Sequence, residues 1–72
     1  MFETVTSPSS MLKEFAYDGE AEILSVTFQT NDSTWYYHKV PPKIFEDMKQ
    51  AESQGKFFLQ NVKGKFRDSP HS

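Results

Sequence analysis

The stretch EILSVTFQTNDSTWYYHKV, residues 22–40, decides the fold. Leu24, Val26 and Phe28 recur at period two with Ser25, Thr27 and Gln29 between them, the pattern of a strand with one apolar face. Asn31-Asp32-Ser33 is a short polar connection of the kind that joins the strands of a hairpin. Thr34 to Val40 resumes as a strand, because Trp, Tyr and Val suit a pleated, half-buried surface. Alternation then sets Trp35 and Tyr37 beside Leu24, Val26 and Phe28 on one apolar face. Tyr36, His38 and Val40 fall on the other.

Working outward, Pro41-Pro42 stops this strand, since proline has no N–H for a ladder and suits the first turn of a helix. Ile44, Phe45, Met48 and Ala51 form one helical stripe over residues 43–54, and Gly55 is the expected stop. Phe58, Val62 and Phe66, spaced by four, argue a second short helix, although Gly64 weakens it. Upstream, Asp18-Gly19-Glu20 reads as a turn. Residues 11–17 fit a strand with Met11, Phe15 and Tyr17 on one side and Leu12, Glu14 and Ala16 on the other. A short helix capped by Ser9 or Ser10 is the alternative. The expected fold is α+β: a three-stranded antiparallel meander with one or two C-terminal helices packed on one face, over residues 10–66. Residues 1–9 are expected to be a flexible lead-in and residues 67–72 a flexible tail.

With 72 residues the chain holds at most one domain. A domain of this size buries only about 60% of its unfolded surface. Its seven Phe, three Tyr and one Trp supply the large side chains that such a core needs. The absence of cysteine excludes disulfides, zinc–thiolate sites and thiol nucleophiles. No apolar run of about 18 residues is present, so the expectation is a soluble cytoplasmic protein without a membrane partner. Charge is uneven along the chain. Residues 1–35 carry one lysine against six carboxylates, and residues 36–72 carry seven cations against four.

The chemistry-bearing residues point to binding. His38 and His71 are the only histidines, and no nucleophile motif, phosphate-binding glycine loop or metal-ligand spacing accompanies them. No catalytic residue, metal, cofactor or small-molecule substrate is therefore expected. Two features fit a macromolecular partner. Tyr36 and His38 lie on the face that the core does not need, where rings can stack on bases or merely decorate a solvated strand. The segment GKFFLQNVKGKFR, residues 55–67, interleaves Lys56, Lys63, Lys65 and Arg67 with phenylalanines. On a helix Lys56 and Lys63 lie on nearly the same side, and with Lys39 and Lys43 these cations can form one positive edge. That edge suits phosphates, an acidic protein patch or no partner at all. The acidic residues Glu14, Asp18, Glu20 and Glu22 oppose nucleic acid only if they share it.

Several of these residues recur in a known order. Tyr17-Asp18, Leu24-x-Val26-x-Phe28, Trp35-x-Tyr37 with Val40-Pro41, Ala51-x-Ser53-x-Gly55-x-Phe57-Phe58 and Val62-x-x-x-Phe66 together resemble the KTSC domain over roughly residues 10–66. This small domain is found at the C-terminus of some lysyl-tRNA synthetases and as free-standing bacterial proteins. Trp35 stands here in a family tyrosine position, Leu59 where a polar residue is frequent, and Phe66 for a terminal tyrosine. These exchanges keep ring volume and lose hydroxyls. The resemblance implies a non-catalytic binding domain whose partner is RNA or a ribonucleoprotein. The alternative is a protein interaction module that docks on a transcription or translation complex.

Overall fold

The computed structural model describes residues 2–6 and 10–70. Its elements are β1 (Glu3–Thr6), β2 (Leu12–Asp18), β3 (Ile23–Phe28), β4 (Thr34–Tyr37), α1 (Pro42–Gln50), α2 (Gln54–Asn61) and β5 (Asp68–Pro70). The strands form one antiparallel sheet in the order β1-β2-β3-β4-β5. The expected three-stranded meander is its centre. Two short strands extend it at the edges, one from residues 3–6 of the expected lead-in and one from residues 68–70 of the expected tail. Pro70 is tolerated because β5 is an edge strand, where a missing N–H costs no ladder bond. Residues 7–9, including the proposed cap Ser9, and His71 lie outside the described residues.

Residues 11–17 are strand rather than helix, and they carry an irregularity. Leu12 pairs with Phe28 while Glu14 pairs with Thr27, so Lys13 is an extra residue at a bulge. The bulge shifts the alternation by one. Leu12 therefore turns to the apolar face and is fully buried beside Phe15 and Tyr17, not on the Glu14 side as alternation alone predicts. In the central hairpin, Leu24 pairs with Tyr37 and Val26 with Trp35. Leu24, Val26 and Tyr37 are buried, while Phe28 and Trp35 are partly buried against them.

Val40 departs from the expected face. Lys39 takes φ 58°, a left-handed conformation, which breaks the alternation after β4. Val40 becomes fully buried in the core, and its N–H bonds the Glu22 carbonyl at 2.8 Å.

Both helices cover the apolar face. Pro42 opens α1, and Phe45 stacks on Tyr17 at 4.9 Å and meets Phe15 edge-on at 5.9 Å. Phe58 of α2 meets Phe28 at 5.6 Å and Tyr37 at 5.4 Å, both edge-on. Such pairs add about 0.5–1.5 kcal/mol each beyond area burial. The helix boundary lies earlier than expected. Ala51 ends α1, and Ser53 caps α2 by accepting the Lys56 N–H at 3.2 Å, so Gly55 sits buried in the first turn of α2. α2 ends before Lys63, so Lys56 and Lys63 do not share one helix side. The chain instead turns at residues 62–65, where the Lys65 N–H bonds the Val62 carbonyl at 3.0 Å and Gly64 takes φ 79°. This is the third position of a turn that requires positive φ, and glycine adopts it without strain.

Candidate functional site

The turn at Gly64 sends the chain back along β4, and this return builds the site. The His38 N–H donates to the Arg67 carbonyl at 2.8 Å. One residue further, β5 begins, and Ser69 pairs with Tyr36. His38 Nε2 and Ser69 Oγ are 2.9 Å apart. A hydroxyl both donates and accepts, so this bond forms with either tautomer of the imidazole and with the imidazolium.

Between the end of β4 and this returning segment lies an open cleft of about 680 Å³, lined by His38, Lys39, Lys65, Phe66, Arg67 and Ser69. Lys39, Lys65 and Arg67 are exposed, whereas His38, Phe66 and Ser69 are half-buried. No carboxylate lines the cleft. Among the described residues its three cations carry no ion pair, whereas Lys13 is paired with Asp32, and Lys49 with Glu3 and Glu46. The cleft thus brings together four of the eight residues singled out in the sequence: His38, Lys39, Lys65 and Arg67.

The other four lie elsewhere. Tyr36 is on the sheet face adjoining Ser69. Lys43 and Lys56 are exposed in the first turns of α1 and α2. Lys63 lines a smaller pocket of about 260 Å³ with Phe28, Trp35, Tyr37 and Asp68. Burial, followed by the nearby Asp68 carboxylate, pushes the Tyr37 hydroxyl up to about 12. Sequence reasoning missed Ser69 because a three-residue strand ending in proline carries no alternation to read.

The acidic turn borders this region. Asp18 Oδ1 accepts the backbone N–H groups of Glu20 at 3.1 Å and Ala21 at 3.5 Å. Desolvation raises its pKa, but these bonds are among the contributions that together outweigh it and hold the carboxyl below its ordinary value. The Val40–Glu22 backbone bond brings that turn beside the segment that follows β4. The surface therefore changes sign over a short distance.

The face of the sheet opposite the helices has a simple composition. Thr4, Ala16, Ser25, Tyr36 and Ser69 form one row across all five strands. Phe2 reaches over this row, and its ring lies 6.4 Å from that of Tyr36 at a tilt of 40°.

No group of three or more His, Asp or Glu side chains among the described residues is placed to hold a metal ion. No helix among them is long and apolar enough to cross a membrane.

The KTSC domain family model matches residues 8–66. The chain belongs to the KTSC family. A protein of Tsukamurella paurometabola is 41% identical over 59 residues, covering 82% of this chain and 87% of its own length. A lysine–tRNA ligase of Nostoc punctiforme is 35% identical over 66 residues, or 92% of this chain, and this chain spans 12% of that ligase. The crystal structure of a KTSC domain protein from Yersinia pestis superposes with a TM-score of 0.93 at 26% identity, each chain covered in full.

Proposed function

We propose that this KTSC domain is a non-catalytic binding module that contacts RNA, alone or within a ribonucleoprotein, through the cleft between β4 and β5. One observation carries the reading. Lys39, Lys65 and Arg67 converge on one open cleft that no carboxylate lines, and none of the three is neutralised by a neighbour among the described residues. Cations left in this state release little on meeting a phosphate and gain the entropy of displaced counterions. The relation to a lysine–tRNA ligase segment supports the same choice of partner.

A salt titration tests it. Binding to single-stranded RNA should weaken as salt rises, with a log–log slope of about −0.7 per phosphate contacted. Lys65→Glu with Arg67→Glu should abolish binding with little change in melting temperature, since both side chains are exposed. Undetectable binding to pooled cellular RNA at low salt overturns the reading.

A second reading, docking on a protein complex, has its own observation. Leu59 stands 48% exposed on α2, and the acidic turn beside a cationic cleft suits a partner patch of complementary sign pattern.

A further inference from the structure

Resting on the reading of the cleft as the RNA contact, we infer that the cleft takes the end of the strand: a terminal phosphate monoester and the nucleotide that carries it. The cations meet at one place instead of forming a track. Lys39, Lys65 and Arg67 line a single cleft with no carboxylate in its wall, and all three are exposed. The remaining cations of residues 36–72 stand elsewhere. Lys43 and Lys56 lie in the first turns of the two helices, Lys49 is paired with Glu3 and Glu46, and Lys63 lines a separate pocket with Asp68. Each internal phosphate of a strand is a diester with one charge, so binding along the backbone calls for cations spread out beside it. A terminal monoester carries about −1.5 to −2 at pH 7 and offers three strong acceptor oxygens. Three cations on one cleft match that group.

The positive region is also bounded. Next to Lys39, the Val40 N–H bonds the Glu22 carbonyl at 2.8 Å, which brings up the turn bearing exposed Glu20 and Glu22. Next to Arg67 comes Asp68, exposed and part of the neighbouring pocket. A strand threaded through the cleft would carry phosphates onto carboxylates as it entered and as it left, whereas a strand end needs only one way out. The cleft volume of about 680 Å³ lies within the range of roughly 300–1,000 Å³ found for small-ligand sites. That is more than a phosphate fills, and it leaves room for the terminal nucleotide between half-buried Phe66 and the Ser69 hydroxyl, which His38 Nε2 holds at 2.9 Å.

The test is fluorescence anisotropy with a mixed-sequence single-stranded RNA 12-mer bearing a phosphate at its 5′ end, or at its 3′ end, with the label on the opposite end. The reference is a hydroxyl-ended RNA one nucleotide longer, so that all three strands carry the same number of phosphates. One of the phosphate-ended strands should bind about ten-fold more tightly than the reference, the worth of one added charge-assisted hydrogen bond, and which one it is identifies the end that enters. Lys39→Gln with Arg67→Gln should erase that difference, while Lys43→Gln with Lys56→Gln should preserve it. In the parent protein, a nucleoside monophosphate of the same polarity should displace the bound strand where the nucleoside does not, a readout that needs no variant to fold. Equal affinity for all three strands overturns the inference, as does a preference that survives Lys39→Gln with Arg67→Gln. If the strands bind equally and Lys65→Glu with Arg67→Glu abolishes that binding, the RNA reading of the cleft stands while the end-group site falls. Absence of binding to every strand overturns both.

Discussion

The Tyr17 hydroxyl donates to the buried Val40 carbonyl across 23 positions of sequence. It ties the middle of the sheet to the residue that follows β4, just past the left-handed turn at Lys39. Tyr17 is 5% exposed and Val40 fully buried, so no solvent replaces either partner. Tyr17→Phe keeps the ring against Phe45 and leaves that carbonyl unpaired. The expected cost is about 1–3 kcal/mol, read as a lower urea midpoint at unchanged m-value.

Alkaline pH should act through Tyr37. Its folded-state pKa of about 12 lies above the ordinary tyrosine value of 10.0. Its contribution is complete below pH 10, where the ring is protonated in both states. As pH rises from 10 to 12 the unfolded chain loses the proton first, and stability falls by about 2 kcal/mol. Tyr17 is shifted in the same direction by burial, and then by Glu22 and Asp18. The check is therefore comparative: Tyr37→Phe should show a shallower decline over this window than the parent.

Core truncations should rank by burial. Phe58 is fully buried between Phe28 and Tyr37, and Phe58→Ala should cost about 3–5 kcal/mol. That rivals the whole stability of a domain this small, about 4–10 kcal/mol. Trp35 is only partly buried because it opens toward a pocket beside β5. Trp35→Ala should cost less, and Tyr36→Ala least. Chemical denaturation of the three variants gives the order directly, and the reverse order would mean a strand register wrong by one residue.

The hold of β5 on β4 should depend on Ser69. Ser69→Ala removes the partner of His38 Nε2 while leaving the backbone bond from His38 to Arg67 in place. Hydrogen exchange at the His38 amide should quicken several-fold with little change at the Val26 amide in the centre of the sheet. Equal rates in both proteins would show that the backbone ladder alone secures this edge.

How far the molecule could be read from sequence follows from element length. Residues 24–37 and the stripe of Phe45 and Met48 were legible because several residues in succession obeyed one period. β1 and β5, of four and three residues, are too short to show a period, and their pairing is a tertiary outcome. Two single-residue irregularities also escaped notice. The bulge at Lys13 and the left-handed Lys39 each reverse which side of a strand is buried, and neither residue type announces it. The cations of the site were visible as composition. Their meeting in one cleft was not, because it depends on the turn at Gly64 and on a strand formed by the supposed tail.

The φ of 58° at Lys39 places a selective cost on the site itself. Glycine occupies that conformation freely, and a lysine there sacrifices roughly 1 kcal/mol. Lys39→Gly should therefore yield a domain that melts higher and holds an anion less well. Selection for robustness alone would favour glycine at this position. A lysine there sets a cation at the cleft mouth at the expense of thermal resilience.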